Sequence, residues 1–159
     1  MADGRSSGLR VAVTVVLALI LAIAPLPDPL RPARPHLLLL LVIYWSLSAP
    51  RLAGLMFAWL CGIALDVIKG PLFGQHAIAF LLVAYLTHKN QLRMRIFPIY
   101  QQTLWVLGLL GIYEFVMFWI DGIIGSPVTT WLRWLPVLTS ALLWPLLVAM
   151  LDTWNRGRR

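Results

Sequence analysis

Apolar residues in this chain gather in long unbroken runs rather than in alternation. Six runs stand out: Val11 to Ala24, His36 to Ala49, Leu52 to Ile68, Leu72 to His88, Thr103 to Ile124 and Leu135 to Leu151. Between them lie short stretches rich in proline, glycine and arginine. Runs of this kind predict membrane-spanning α-helices. They are too continuous for the roughly ten-residue alternating strands of an outer-membrane barrel. The expected architecture is all-α: one polytopic membrane bundle of about six helices over residues 1–159.

The second run, His36 to Ala49, lies between Arg34-Pro35 and Pro50-Arg51. At about 1.5 Å per residue it gives a helix of roughly 21 Å, against a hydrocarbon core of about 30 Å. It must thin the bilayer, extend through its flanking prolines, or re-enter. The first run follows Arg5 and Arg10 and ends Ala22-Ile23-Ala24, like a signal peptide. Pro25 stands where cleavage would occur, so a retained first span is expected. Pro25 to Pro29 then forms a rigid turn.

The third run is expected to be the spine of the bundle. Gly54, Ala58, Gly62, Asp66 and Gly70 recur every fourth position, and positions four apart stack on one helix face. Small residues there admit a neighbouring backbone, and the acid is kept away from lipid. Lys69-Gly70-Pro71 closes this run, and Phe73-Gly74-Gln75-His76 opens the fourth. So short a hinge makes the two spans antiparallel neighbours.

Composition fits this pattern. Of 159 residues, 60% are hydrophobic and 12% charged, about half the charged share of a soluble domain; mean hydropathy is +0.83. The net charge of +7 would suggest nucleic acid in a soluble protein. Here the cations lie between apolar runs, so nucleic-acid binding is excluded. Six spans put nine cations on one side: Arg5, Arg10, Arg51, Lys89, Arg93, Arg95, Arg156, Arg158 and Arg159. Four fall on the other: Arg31, Arg34, Lys69 and Arg133. The richer side is cytoplasmic, with both termini inside. Were the second run not to span, five spans would divide the charges alike with the N-terminus outside; residues 88–102 and the C-terminus stay cytoplasmic in both arrangements. Trp45, Trp105, Trp131, Trp134 and Trp154 fall near run ends, where the indole suits headgroup depth. Trp59 and Trp144 lie deeper, and Trp144-Pro145 predicts a kink.

Few residues could carry chemistry. Asp66 is read either as structural, bonded to a neighbouring helix or to Lys69, or as a ligand or partner contact. Glu114 and Asp121, seven apart, share a face; Glu114 needs a partner or a proton. Lys69, Gln75, His76 and Glu114 are the candidate polar cluster; the first three gather with Asp66 at the hinge, read as capping and hinge packing before a binding site. His36, His76 and His88 are dispersed and Cys61 is single, so no metal site or disulfide is expected. Lys89 to Gln102, with Lys89, Arg93 and Arg95, interleaves basic and apolar residues. It reads as a stretch lying on anionic cytoplasmic lipid, or as a docking surface. No GxSxG, HExxH, CxxC or phosphate-loop signature is present, and no enzyme activity or cofactor is expected.

Several motifs, in order, resemble one family. These are the Pro25 to Asp28 turn, Arg34-Pro35 leading through leucines to Tyr44-Trp45 and Pro50, and GIALDVIKGPLFG from Gly62 to Gly74. Ala84-Tyr85-Leu86, Tyr100-Gln101-Gln102 and Trp144-Pro145 follow. Together they resemble the rod shape-determining protein MreD family of bacteria. That resemblance implies a non-enzymatic inner-membrane subunit of the elongation complex, supporting lateral peptidoglycan synthesis. Its implied partners are MreC, the MreB filament, the RodA polymerase with its penicillin-binding transpeptidase, and membrane lipid. It also implies a fold like the substrate-binding subunits of energy-coupling vitamin transporters. The rival reading is therefore a small-molecule or lipid-binding subunit of a transporter.

Overall fold

The computed structural model describes residues 2–25, 27–70, 73–125 and 130–156, without the side chains of residues 2–6 and 156. Pro71 of the hinge, residues 126–129 of the last loop and the arginines at 158 and 159 lie outside the described residues. Six α-helices follow in order: α1 Ala2–Ile23, α2 Leu37–Ser48, α3 Leu55–Lys69, α4 Gln75–Ile96, α5 Ile99–Ile124 and α6 Leu135–Arg156. Short 3₁₀ turns, Asp28–Ala33 and Trp131–Trp134, precede α2 and α6. No strand occurs among the described residues. Ile99–Ile124 and Trp131–Asn155 are long and apolar enough to cross a membrane.

The centre of the bundle is α2, not α3. Every residue from Leu38 to Leu47 is buried, and α1, α3, α4 and α6 all pack on it. A helix apolar on every side is an interior helix, and LLLLLVIYW has no polar face to show. The expected spine, α3, turns Met56, Leu60 and Val67 outward. Burial also explains the shortness of α2. A helix enclosed by other helices need not match the bilayer, but its terminal backbone groups need partners inside the protein. At its start the His36 N–H donates to Ser140 Oγ at 2.7 Å. At its end Arg95 donates to the Leu47 carbonyl through Nε, at 2.7 Å, and through Nη2. Trp45, expected at the headgroup level, is instead buried and donates to Thr14 Oγ1 of α1 at 3.0 Å.

Polar contacts collect at the two ends of the bundle. At one end Arg10 of α1 donates to Asn155 of α6 at 2.8 Å. Asn155 donates to the Tyr44 hydroxyl, which donates to Asp152 at 2.7 Å. His88 meets the Ala53 carbonyl at the same end, at 3.0 Å. The basic stretch from Lys89 to Arg95 forms the last two turns of α4, and Gln102 spans the Pro98 break by donating to the Met94 carbonyl at 2.8 Å. At the other end Arg34 donates to the Leu21 carbonyl, at 2.8 Å, and to that of Ala24, closing α1. The cations grouped together by the charge count thus share an end wherever their contacts are described. Between the ends α1 and α6 show an aliphatic face: Val13, Leu17 and Leu21 on α1, and Leu138, Leu142, Leu146 and Met150 on α6, all face outward.

The Arg95 contact gives a first expected result. Arg95→Met keeps the aliphatic stem but leaves the Leu47 carbonyl unpaired, so it should cost about 1–2 kcal/mol. Thermal unfolding in detergent, followed by helical circular dichroism, measures it.

Candidate functional site: a polar cluster at one end of the bundle

Asp66 is the first half of the site. α3 carries it to the last turn, and its side chain is 0% exposed. Gly70 then ends the helix in a left-handed conformation, φ 82°, its N–H bonded to the Asp66 carbonyl at 2.9 Å. Gly74, φ 99°, turns the chain into α4. As the N-cap residue of α4, Gly74 has no side chain with which to satisfy the first N–H groups. Asp66 does this from the neighbouring helix. Its Oδ2 accepts from the Gly74 N–H at 2.9 Å and from the Ala77 N–H at 3.3 Å. Its Oδ1 accepts from the His76 N–H at 3.0 Å and from His76 Nδ1 at 2.7 Å. A carboxylate at a helix N-terminus also meets the positive end of the helix dipole. All four described hydrogen bonds of the Asp66 side chain go to the start of α4, and none goes to Lys69.

Gly62 makes this cap reachable. A Cβ there would lie 2.4 Å from Ala77 Cα and 2.7 Å from Ala77 N, so α3 and α4 touch backbone to backbone one turn before Asp66. Gly54 caps the start of α3, and a Cβ at Gly54, Gly70 or Gly74 meets nothing within 4 Å. Close helix contact on this face therefore centres on Ala58, Gly62 and Asp66.

The second half surrounds Glu114 of α5, whose side chain is 8% exposed. His36 Nε2 lies 2.8 Å from its Oε1. Arg133 Nε donates to its Oε2 at 3.3 Å, and Arg133 Nη2 donates to Asp121 at 2.6 Å. The share-a-face spacing of Glu114 and Asp121 is thus used to hold one guanidinium. Tyr113 stands between the halves, its ring 4.8 Å from that of His36 and 6.4 Å from that of His76, centroid to centroid. The halves border an open cavity of about 470 Å³, lined by Lys69, His76 and Glu114 together with Arg31, His36, Tyr113 and Arg133.

Three of the four residues expected in the polar cluster, Lys69, His76 and Glu114, line this cavity. Gln75 is buried nearby, its Oε1 without a hydrogen-bond partner among the described residues. Lys89, Arg93 and Arg95 belong to the opposite end. The sequence reading missed His36, Tyr113 and Arg133. His36 and Arg133 were detectable, because span parity places the start of the second run and the loop before the sixth on the side where the fifth run ends. His36 and His76 lie closer than their sequence separation suggested, yet no group of three or more metal-binding side chains forms among the described residues.

Glu114→Gln preserves shape but removes the charge that Arg133 and His36 share. It should lower stability by about 1–2 kcal/mol, read from the same thermal unfolding.

The family model for rod shape-determining protein MreD matches residues 6–153, nearly the whole chain. The chain belongs to that family. The rod shape-determining protein MreD of Haemophilus influenzae is 29% identical over 130 residues, which is 82% of this chain and 80% of that protein. Family membership assigns the chain a part in rod shape, in a family of shape-determining proteins rather than of known enzymes. The match spans both halves of the polar cluster and the central α2. No solved structure matches the chain, so the expected likeness to vitamin-transporter subunits has no structural support.

Proposed function

We propose that the chain is a non-enzymatic inner-membrane subunit of the rod elongation complex. It binds MreC and so supports lateral peptidoglycan synthesis by the RodA polymerase and its transpeptidase along MreB. The observation that carries this reading is the family match across residues 6–153. The structure supports it with a helical body whose outward face is aliphatic over α1 and α6. A surface of this kind suits lipid and the transmembrane segments of partners.

The division of cations between the two ends supports an orientation with residues 88–102 and both termini in the cytoplasm. Alkaline phosphatase fused after residue 159 should then be inactive, and activity of the fusion would reverse the orientation. The functional reading is tested in cells depleted of this chain. Re-expressed wild type should restore rods, whereas Asp66→Ala should leave the cells round. Rod growth that persists without the chain would remove the reading.

A further inference from the structure

The cavity beside Tyr113 has chemistry that holding the bundle together does not use. Three cationic residues, Arg31, Lys69 and Arg133, line it, against one carboxylate, Glu114. Glu114 is already shared between His36 and Arg133. Arg31 pairs with Asp28 at 3.2 Å. Lys69 has no carboxylate within pairing distance among the described residues. Asp66, three residues before it, directs both oxygens to α4. Arg133 commits Nε and Nη2 to Glu114 and Asp121 and keeps Nη1. His76 commits Nδ1 to Asp66, which leaves Nε2. The unspent groups therefore include an ammonium, part of a guanidinium and a ring nitrogen, and Thr130 lines the space together with apolar Pro32, Met117, Leu132 and Pro136.

We propose that this cavity binds a phosphate ester, with Lys69 and Arg133 as the cationic ligands. A phosphate offers several oxygens to donors arriving from different elements, here the end of α3 and the turn before α6, and an arginine fork suits it. At about 470 Å³ the space exceeds that of a bare ion, and its apolar wall takes the organic part of the ester. The ester is either a lipid headgroup, since the cavity lies at an end of the bundle, or a water-soluble phosphate. The inference stands apart from the scaffold reading, because neither the cavity nor its charge depends on MreC.

The test is native mass spectrometry of the full chain in mild detergent, with equal amounts of phosphatidic acid and phosphatidylcholine. Wild type should retain phosphatidic acid selectively. Lys69→Gln should retain it at least about tenfold less, and Lys69→Arg should retain it as wild type does. Arg51→Gln, which removes the same charge at the opposite end, should change nothing. Displacement by inorganic pyrophosphate assigns the site to soluble phosphates; retention against pyrophosphate assigns it to the lipid headgroup, and both results support the site. Equal retention of the two lipids overturns the proposal. So does wild-type retention by Lys69→Gln, loss in Lys69→Arg, or an equal loss in Arg51→Gln.

Discussion

Asp66→Ala is expected to cost about 3–5 kcal/mol, the size of effect seen when one partner of a buried charged pair is removed. The carboxylate is fully enclosed and accepts from three backbone N–H groups and one imidazole. Alanine takes the described side-chain acceptor away from all four donors at once. Each stranded buried donor costs about 1–3 kcal/mol before relaxation. The α3–α4 hinge would then open, because Gly74 has no side chain to take over the cap. Asp66→Asn should fall close to alanine, since its amide NH₂ turns a donor toward donors. Thermal unfolding of the purified chain reads the loss. An alanine variant that melts with the wild type would refute the cross-helix cap.

Gly62→Leu should be comparably damaging, for steric rather than polar reasons. Even a Cβ meets Ala77 Cα at 2.4 Å and the His76 carbonyl oxygen at 2.8 Å. Backbone atoms cannot rotate away, so α3 and α4 must separate. Gly62→Ala should cost about 1–3 kcal/mol, and leucine more. Separation also draws Asp66 away from the N–H groups it caps, so the two sites are coupled and a double variant should lose less than the sum. Gly54→Ala is the steric control, since a Cβ there meets nothing within 4 Å; it should cost at most about 1 kcal/mol, the loss of a helix N-cap. Equal melting of Gly62→Leu and Gly54→Ala would contradict the close approach.

Sequence alone revealed an all-helical chain and its six apolar segments, because apolar runs report helices directly. It also revealed the short hinge, since Gly70 and Gly74 are the residues that adopt positive φ there. The rank of the helices was misjudged. A repeat of small residues marks close contact with one neighbour, and α3 has that with α4. Centrality depends on being covered from all sides, which the uniform apolarity of α2 expressed without any periodicity. Trp45 was misplaced for the same reason: a tryptophan at the end of a run suits an interface unless another helix brings an acceptor, as Thr14 does. The polar cluster was half legible. Asp66, Lys69 and His76 are close in sequence and were grouped, with Glu114 added as an intramembrane acid, whereas His36 and Arg133 reach Glu114 only through the packing of three separate segments. The continuation of α4 through Lys89 to Arg95 was hidden by its polarity, although a helix leaving a membrane gains polar residues without ending.

If this bundle works as a membrane-embedded member of the rod-shape machinery, it should travel with the other members when extracted. The most direct test is gentle purification of the tagged chain from native membranes, with quantitative mass spectrometry of the accompanying proteins. MreC should be recovered in near-equal amount, with wall-synthesis enzymes beside it. A folded, monodisperse chain recovered without any of them would contradict that role.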